Sequence, residues 1–117
     1  FTGRLEVSEL AAVLGSALAL TYVSYFEGFG IPIVEAFRCD VPVITSNVTS
    51  MPEVAGDAAL LVDPFNPESI AEALYKAYQF ESFREELIVR GRRRKDLFSW
   101  QQTADRLWES IETAAKS

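Results

Sequence analysis

Histidine is absent from the sequence, and cysteine occurs once, at Cys39. These gaps exclude an intrachain disulfide, a zinc site of the cysteine and histidine kind, haem ligation through histidine, and any Ser-His or Cys-His nucleophile. Chemistry must come from carboxylates, hydroxyls, amines or backbone dipoles. Cysteine poverty fits a reducing compartment, and a cytoplasmic protein is expected. Long hydrophobic runs are missing as well. The stretch from Leu18 to Phe26 breaks off far short of the ~18–20 residues that span a bilayer, and no charged n-region precedes a signal-like segment. Basic charge is scarce: 11 Lys and Arg face 17 Asp and Glu, a net charge of −6. That balance opposes the broad electrostatic footprint of a nucleic-acid binder, so no nucleic-acid partner is expected. A bound phosphate would need a local device.

What remains is the composition of a globular protein, 49% apolar and 24% charged over 117 residues. One core, or part of one, is the bound at this length. The opening residues Phe1-Thr2-Gly3 read like the end of a strand running into a turn, and the chain is expected to be the back of something longer. There is no internal repeat and no low-complexity linker.

Residues 6–15 show helical spacing, with Leu10, Val13 and Leu14 on one side, Ser8 as the expected N-cap and Gly15 as the stop. Residues 18–25 (LALTYVSY) leave little room for a polar face, which suits a strand covered on both sides. A glycine loop over 27–30 leads into a helix over 31–38, with Pro32 in the first turn where proline is accepted. The β-branched run 41–46 follows, so the helix reads as the crossover between two parallel strands. A helical turn over 52–55, a strand over 59–62 and an amphipathic helix over 67–78 come next. That helix is capped by Asn66, with Ile70, Ala71, Leu74, Ala77 and Tyr78 as its stripe. Helices over 81–95 and 100–115 complete the chain, the last capped by Ser99 with Ala104, Leu107, Trp108 and Ile111 on a face. The class is α/β, a Rossmann-like parallel sheet flanked by helices.

In open parallel sheets, ligands sit beyond the carboxyl ends of the strands, where loops enter helices. The stretch FEGFGIPIVEAF belongs at such a place. Gly28 and Gly30 let backbone approach a ligand, and the helix N-terminus attracts an anion without a cationic side chain. Glu27 and Glu35 bracket that corner. Glu35 lies about one turn, ~5 Å, into the helix. Its neighbours Ile33, Val34, Ala36 and Phe37 are apolar, so its carboxylate is expected to have little solvated face and to need hydrogen-bond donors such as vicinal sugar hydroxyls. A solvated pair of charges beside a tight turn is the plainer alternative.

The segment EGFGIPIVEAF resembles the glutamate, seven residues, glutamate signature of the retaining nucleotide-sugar glycosyltransferases of family four. The likeness extends over Ser24-Tyr25-Phe26, Pro42-Val43-Ile44-Thr45-Ser46, Pro52-Glu53-Val54, GDAALLVDPFNPESIAEAL and Phe98-Ser99-Trp100, nearly the whole chain. It implies a GT-B enzyme of two Rossmann-like domains, with residues 1–117 as the latter part of the C-terminal, nucleotide-sugar-binding domain. The resemblance assigns Glu35 to the ribose hydroxyls and Glu27, the candidate catalytic residue, to hydroxyls of the transferred sugar. It assigns the amides of Phe29, Gly30 and Ile31 to the sugar and diphosphate, and a main-chain contact with the base to the neighbourhood of Leu5. It also implies no cofactor and no bound metal, with a nucleotide-diphosphate sugar as donor. The acceptor stays open between polysaccharide, lipid-linked and small molecules. The cations that support the leaving diphosphate would lie upstream of this chain. Loss of one such group costs ~3 kcal/mol in the transition state, so the isolated fragment is expected to be inactive.

Two departures from the family pattern stand out: Asp40 replaces the glycine that ends the helix, and Val23 replaces a proline. Asp tolerates the left-handed position at some cost. The run Arg90 to Lys95 admits peripheral membrane contact by the full protein, but a solvated helix end is the simpler reading. Cys39 reads as packing, and Trp100 and Trp108, eight apart, as core or interdomain packing. Two other classes compete: a catalytically inactive homologue or interaction domain that keeps the fold, and another Rossmann-like phosphate binder such as an epimerase or phosphorylase. The absent Tyr-x-x-x-Lys pair argues against a short-chain epimerase.

Overall fold

A computed structural model describes all 117 residues. Helix α1 (Val7–Gly15) precedes strand β1 (Leu20–Tyr22), helix α2 (Ile31–Arg38), strand β2 (Val43–Ser46), the short helix α3 (Met51–Ala55) and strand β3 (Ala59–Val62). Helices α4 (Pro67–Gln79) and α5 (Glu81–Arg94) follow, then a 3-10 turn over Lys95–Leu97 and helix α6 (Trp100–Lys116). The three strands form one parallel sheet in the order β1-β2-β3, with Leu20 opposite Val43 and Ile44 opposite Leu60. The α/β class with helices flanking a parallel sheet is therefore observed.

Strand β2 is buried throughout and sorts the core into two layers. Val43 packs with Ile33, Val34, Ala36 and Phe37 of α2 and with Met51, Val54 and Ala55 of α3. Ile44, pointing the other way as strand alternation requires, packs with Val62 and with Ala73 and Ala77 of α4. Gly91 lets α5 close on α2, because a Cβ there would stand 2.9 Å from the ring of Phe37.

Several expectations are corrected. The first strand shrinks from 18–25 to Leu20–Tyr22 and is only partly covered, because β1 is an edge strand with β2 as its one partner. Ser8 does not cap α1. Glu6 holds the N-cap position, and the Glu9 carboxylate accepts its backbone N–H at 2.9 Å. The apolar side of α1 has no buried residue, and only Leu14 packs partly against the core. On α4 the inward face is Ile70, Ala73 and Ala77, while Leu74 and Tyr78 face water. The α4 and α6 caps agree with the sequence: Asn66 accepts from the amides of Glu68 and Ser69, and Ser99 from that of Gln102. Helix α6 buries nothing, and Trp100, Leu107, Trp108 and Ile111 are all exposed. Cys39 packs against the main core as expected.

The basic run is partly solvated, with Arg92 and Arg93 exposed, but three of its arginines also bond the rest of the chain. Arg92 makes two hydrogen bonds to Asp40, at 2.9 and 2.8 Å, and tethers α5 to the end of α2. Arg94 donates to the carbonyls of Val54 and Glu53 at the end of α3, and Arg90 to the carbonyl of Asp57. Asp40 does adopt the left-handed conformation, at φ 56°. No helix is long and apolar enough to cross a membrane.

Candidate functional site

Between the end of β1 and the start of α2 the chain must turn back over the carboxyl edge of the sheet, and residues 23–30 make that connection. Hydroxyls from the next strand and its loop hold it down. Thr45 Oγ1 donates to the Tyr22 carbonyl at 2.8 Å, and Ser46 Oγ to the Ser24 carbonyl at 2.6 Å. Ser50 Oγ lies 2.9 Å from the carbonyl oxygens of both Glu27 and Phe29. All peptides are trans, so each N–H faces away from the carbonyl of its own peptide unit. Anchoring the Glu27 and Phe29 carbonyls on Ser50 thus turns the N–H groups of Gly28 and Gly30 to the opposite side. The amides of Gly28, Phe29, Gly30 and Ile31 donate to no group of the chain. Together with the N-terminus of α2 they form a concentration of unpartnered donors suited to an anion.

The two glycines differ. Gly30 caps α2 at φ 101°, ψ 50° and is buried, and an added Cβ would stand 3.1 Å from Ile33 Cδ1. Gly28 lies outside the left-handed region with nothing within 4 Å of the place a Cβ would take. Its lack of a side chain leaves open space rather than a required dihedral, a narrower role than expected for it. The Phe29 ring packs edge-on against Phe98, with centroids 5.7 Å apart, and the Phe98 carbonyl accepts from Arg38 at 2.8 Å. The Phe-Ser-Trp segment thereby braces the glycine loop.

Glu27 is half-buried. Ser24 Oγ donates to its Oε1 at 2.8 Å, and its backbone N–H donates to Thr49 Oγ1 at 3.2 Å. The Tyr22 hydroxyl first, and Ser24 second, hold its carboxyl below the ordinary range. Burial, then the nearby Glu27 carboxylate, pushes the Tyr22 phenol up. Glu27 is therefore a fixed, ionised acceptor near neutral pH. Glu35 contradicts its expected environment. It is exposed, because α2 buries Ile33, Val34, Ala36 and Phe37 and leaves Ile31 and Glu35, four apart, on the solvent stripe. Its carboxylate is free to meet a ligand rather than forced to. Leu5 is half-buried ahead of α1 and makes no hydrogen bond to the loop.

Glu27, Gly28, Phe29, Gly30 and Ile31 thus share one edge, with Glu35 one turn away. Tyr22, Thr49 and Ser50 were not singled out by sequence reasoning. Thr49 and Ser50 reach the loop from more than 20 residues away, a contact with no periodic signature. The exposed Tyr25 and Phe65 rings stack beside this edge at 4.9 Å.

The sequence profile described as glycosyl transferases group 1 matches residues 1–94. The chain belongs to this family. It is 41% identical over 101 residues to the O-antigen chain mannosyltransferase B of Escherichia coli, covering 86% of this chain and 26% of that protein. To the MMP alpha-(1->4)-mannosyltransferase of Mycolicibacterium hassiacum it is 36% identical over 104 residues, covering 86% of this chain and 25% of that protein. Among solved structures, the sucrose-phosphate synthase of Thermosynechococcus elongatus aligns over 97% of this chain and 30% of its own, with TM-score 0.81 and 28% identity. WaaG, a glycosyltransferase involved in lipopolysaccharide biosynthesis, aligns over 85% of this chain and 27% of its own, with TM-score 0.69 and 30% identity. The group 1 chain therefore spans about a quarter of these relatives, and its sheet and helices are those of GT-B glycosyltransferases.

Proposed function

We propose that this group 1 chain is the latter part of the donor-binding domain of a retaining glycosyltransferase. The enzyme moves a hexose from a nucleotide-diphosphate sugar to a glycan or lipid-linked acceptor in the cytoplasm. The observation that carries the reading is the glycine loop, whose unpartnered amides and helix N-terminus lie between two carboxylates. In this reading the amides of Phe29, Gly30 and Ile31 receive the diphosphate and sugar. Exposed Glu35 accepts from the ribose hydroxyls. Glu27, oriented by Ser24, accepts from hydroxyls of the transferred sugar as positive charge develops at its anomeric carbon. Leu5 lies near the base.

Mannose is the first sugar to test, because the similar Escherichia coli and Mycolicibacterium hassiacum proteins are named as mannosyltransferases. Cations for the departing diphosphate, and the acceptor, belong to parts of the enzyme outside these residues, so the isolated chain is inactive. The test is a calorimetric titration of the full-length protein with UDP-, GDP- and ADP-sugars. Saturable binding to one nucleotide class is expected, weakened by ~1.5–3 kcal/mol in Glu35→Ala through loss of a charged acceptor. A folded protein that binds none of them would overturn the reading. Unchanged affinity in Glu35→Ala would remove the ribose role.

A further inference from the structure

Ser50 occupies the N-cap of α3, where a serine ordinarily turns its hydroxyl onto the amides of its own helix. It does not do so here. Its backbone is helical, at φ −82° and ψ −16°, and no side-chain cap bond forms. The hydroxyl instead reaches two carbonyls, 23 and 21 residues upstream. One hydroxyl carries one proton, so the Glu27 and Phe29 carbonyls share a single donor, which couples the orientations of two peptide planes. The residue before it supports the same arrangement. Thr49 sits at φ 55°, a conformation that β-branched residues rarely adopt, and from there its Oγ1 accepts the Glu27 N–H at 3.2 Å. Two consecutive residues thus forgo their local preferences and bond the glycine loop instead.

We infer that Ser50 is a positioning residue for donor binding: its hydroxyl sets the direction in which the Gly28 and Gly30 amides face, and so the affinity of the loop for a diphosphate. The inference rests on the reading of the Phe29, Gly30 and Ile31 amides as the diphosphate and sugar site, with the Gly28 amide beside them. Without the hydroxyl, the part-buried Glu27 carbonyl and the exposed Phe29 carbonyl lose their shared protein donor and the peptide planes are free to rotate. Glu35 stands on the rigid helix α2 and depends on none of this, so contact with the ribose persists. The defect is therefore specific to the diphosphate, whereas general damage to the fold would weaken every ligand alike.

The experiment measures, by NMR titration of the full-length protein, the affinities for UDP, GDP and ADP and for uridine, guanosine and adenosine. The proteins are the wild type, Ser50→Ala and Ser50→Thr. For the nucleotide class that the wild type binds, Ser50→Ala is expected to weaken diphosphate binding about tenfold and to leave nucleoside binding unchanged. Ser50→Thr, which keeps the hydroxyl, restores the preference for diphosphate. If Ser50→Ala does not fold, Ser50→Gly removes the same hydroxyl and carries the same expectation. Equal losses for diphosphate and nucleoside, or no loss of diphosphate binding, would overturn the role of Ser50. A wild type that binds no diphosphate would overturn the donor-loop reading itself, a result distinguishable from either.

Discussion

Alanine at the two loop glycines should separate cleanly. Gly30 sits at φ 101°, where an L side chain is strained, and the new Cβ would meet Ile33 Cδ1 at 3.1 Å. Left-handed backbone costs a non-glycine residue about 1–2 kcal/mol. Ile33 is fully buried, so its side chain has little room to retreat, and overpacking of that kind adds about 1–3 kcal/mol. Relaxation of the loop recovers part of the sum, which leaves an expected loss of about 2–4 kcal/mol for Gly30→Ala. Gly28 has neither a positive φ nor a neighbour within 4 Å of the added atom. Gly28→Ala should change stability by no more than about 0.5 kcal/mol. Equilibrium urea denaturation of the full-length protein, fitted for the transition of this domain, provides the comparison. A Gly28→Ala loss as large as that of Gly30→Ala would refute the assignment of backbone strain to position 30 alone.

Substitutions at two further positions probe charge. The Glu27 carboxyl, ordinarily at 4.5, is depressed chiefly by the Tyr22 hydroxyl. Whatever its ionised form contributes is fully present above 4.5 and disappears as the pH falls through the lower, folded value. Tyr22→Phe keeps the ring but removes that hydroxyl, so the acid limb of the activity profile should move up toward 4.5, and an unmoved limb would refute the Tyr22 contribution. At the end of α2, Asp40→Gly relieves a residue at φ 56° but gives up the exposed, solvent-screened Arg92 pair. The two effects should nearly cancel, whereas Asp40→Ala keeps the strain and loses the pair. Denaturation midpoints that rank the glycine variant below the alanine variant would contradict this balance.

The βαβ unit was legible because its signals are local: a β-branched run at 41–46, a glycine loop, and proline in the first turn of α2. The caps at Asn66 and Ser99 were legible for the same reason. Burial was read less well. Apolar spacing placed Leu74 and Tyr78 on the inner stripe of α4, yet the layer beside Ile44 and Val62 accepts only Ala73 and Ala77 with Ile70. The apolar neighbours of Glu35 suggest a covered carboxylate, but on a helix neighbours in sequence face different ways. The arginines of 90–94 looked like a charge run, and only the tertiary fold shows them capping α3 and gripping Asp40. At the site, the loop and its flanking acids were visible, while Tyr22, Thr49 and Ser50 emerged only when strands lay side by side.

The ties that hold the backbone of the glycine loop are uncharged. Thr45, Ser46 and Ser50 secure the carbonyls of Tyr22, Ser24, Glu27 and Phe29 through hydroxyls, which neither titrate in the working range nor weaken as ions accumulate. The frame of the site is consequently insensitive to salt and pH, although its purpose in this reading is to receive a highly charged group. Dependence of donor affinity on ionic strength or acidity then reports on the ligand and the groups that meet it, with the scaffold beneath them contributing nothing to the signal.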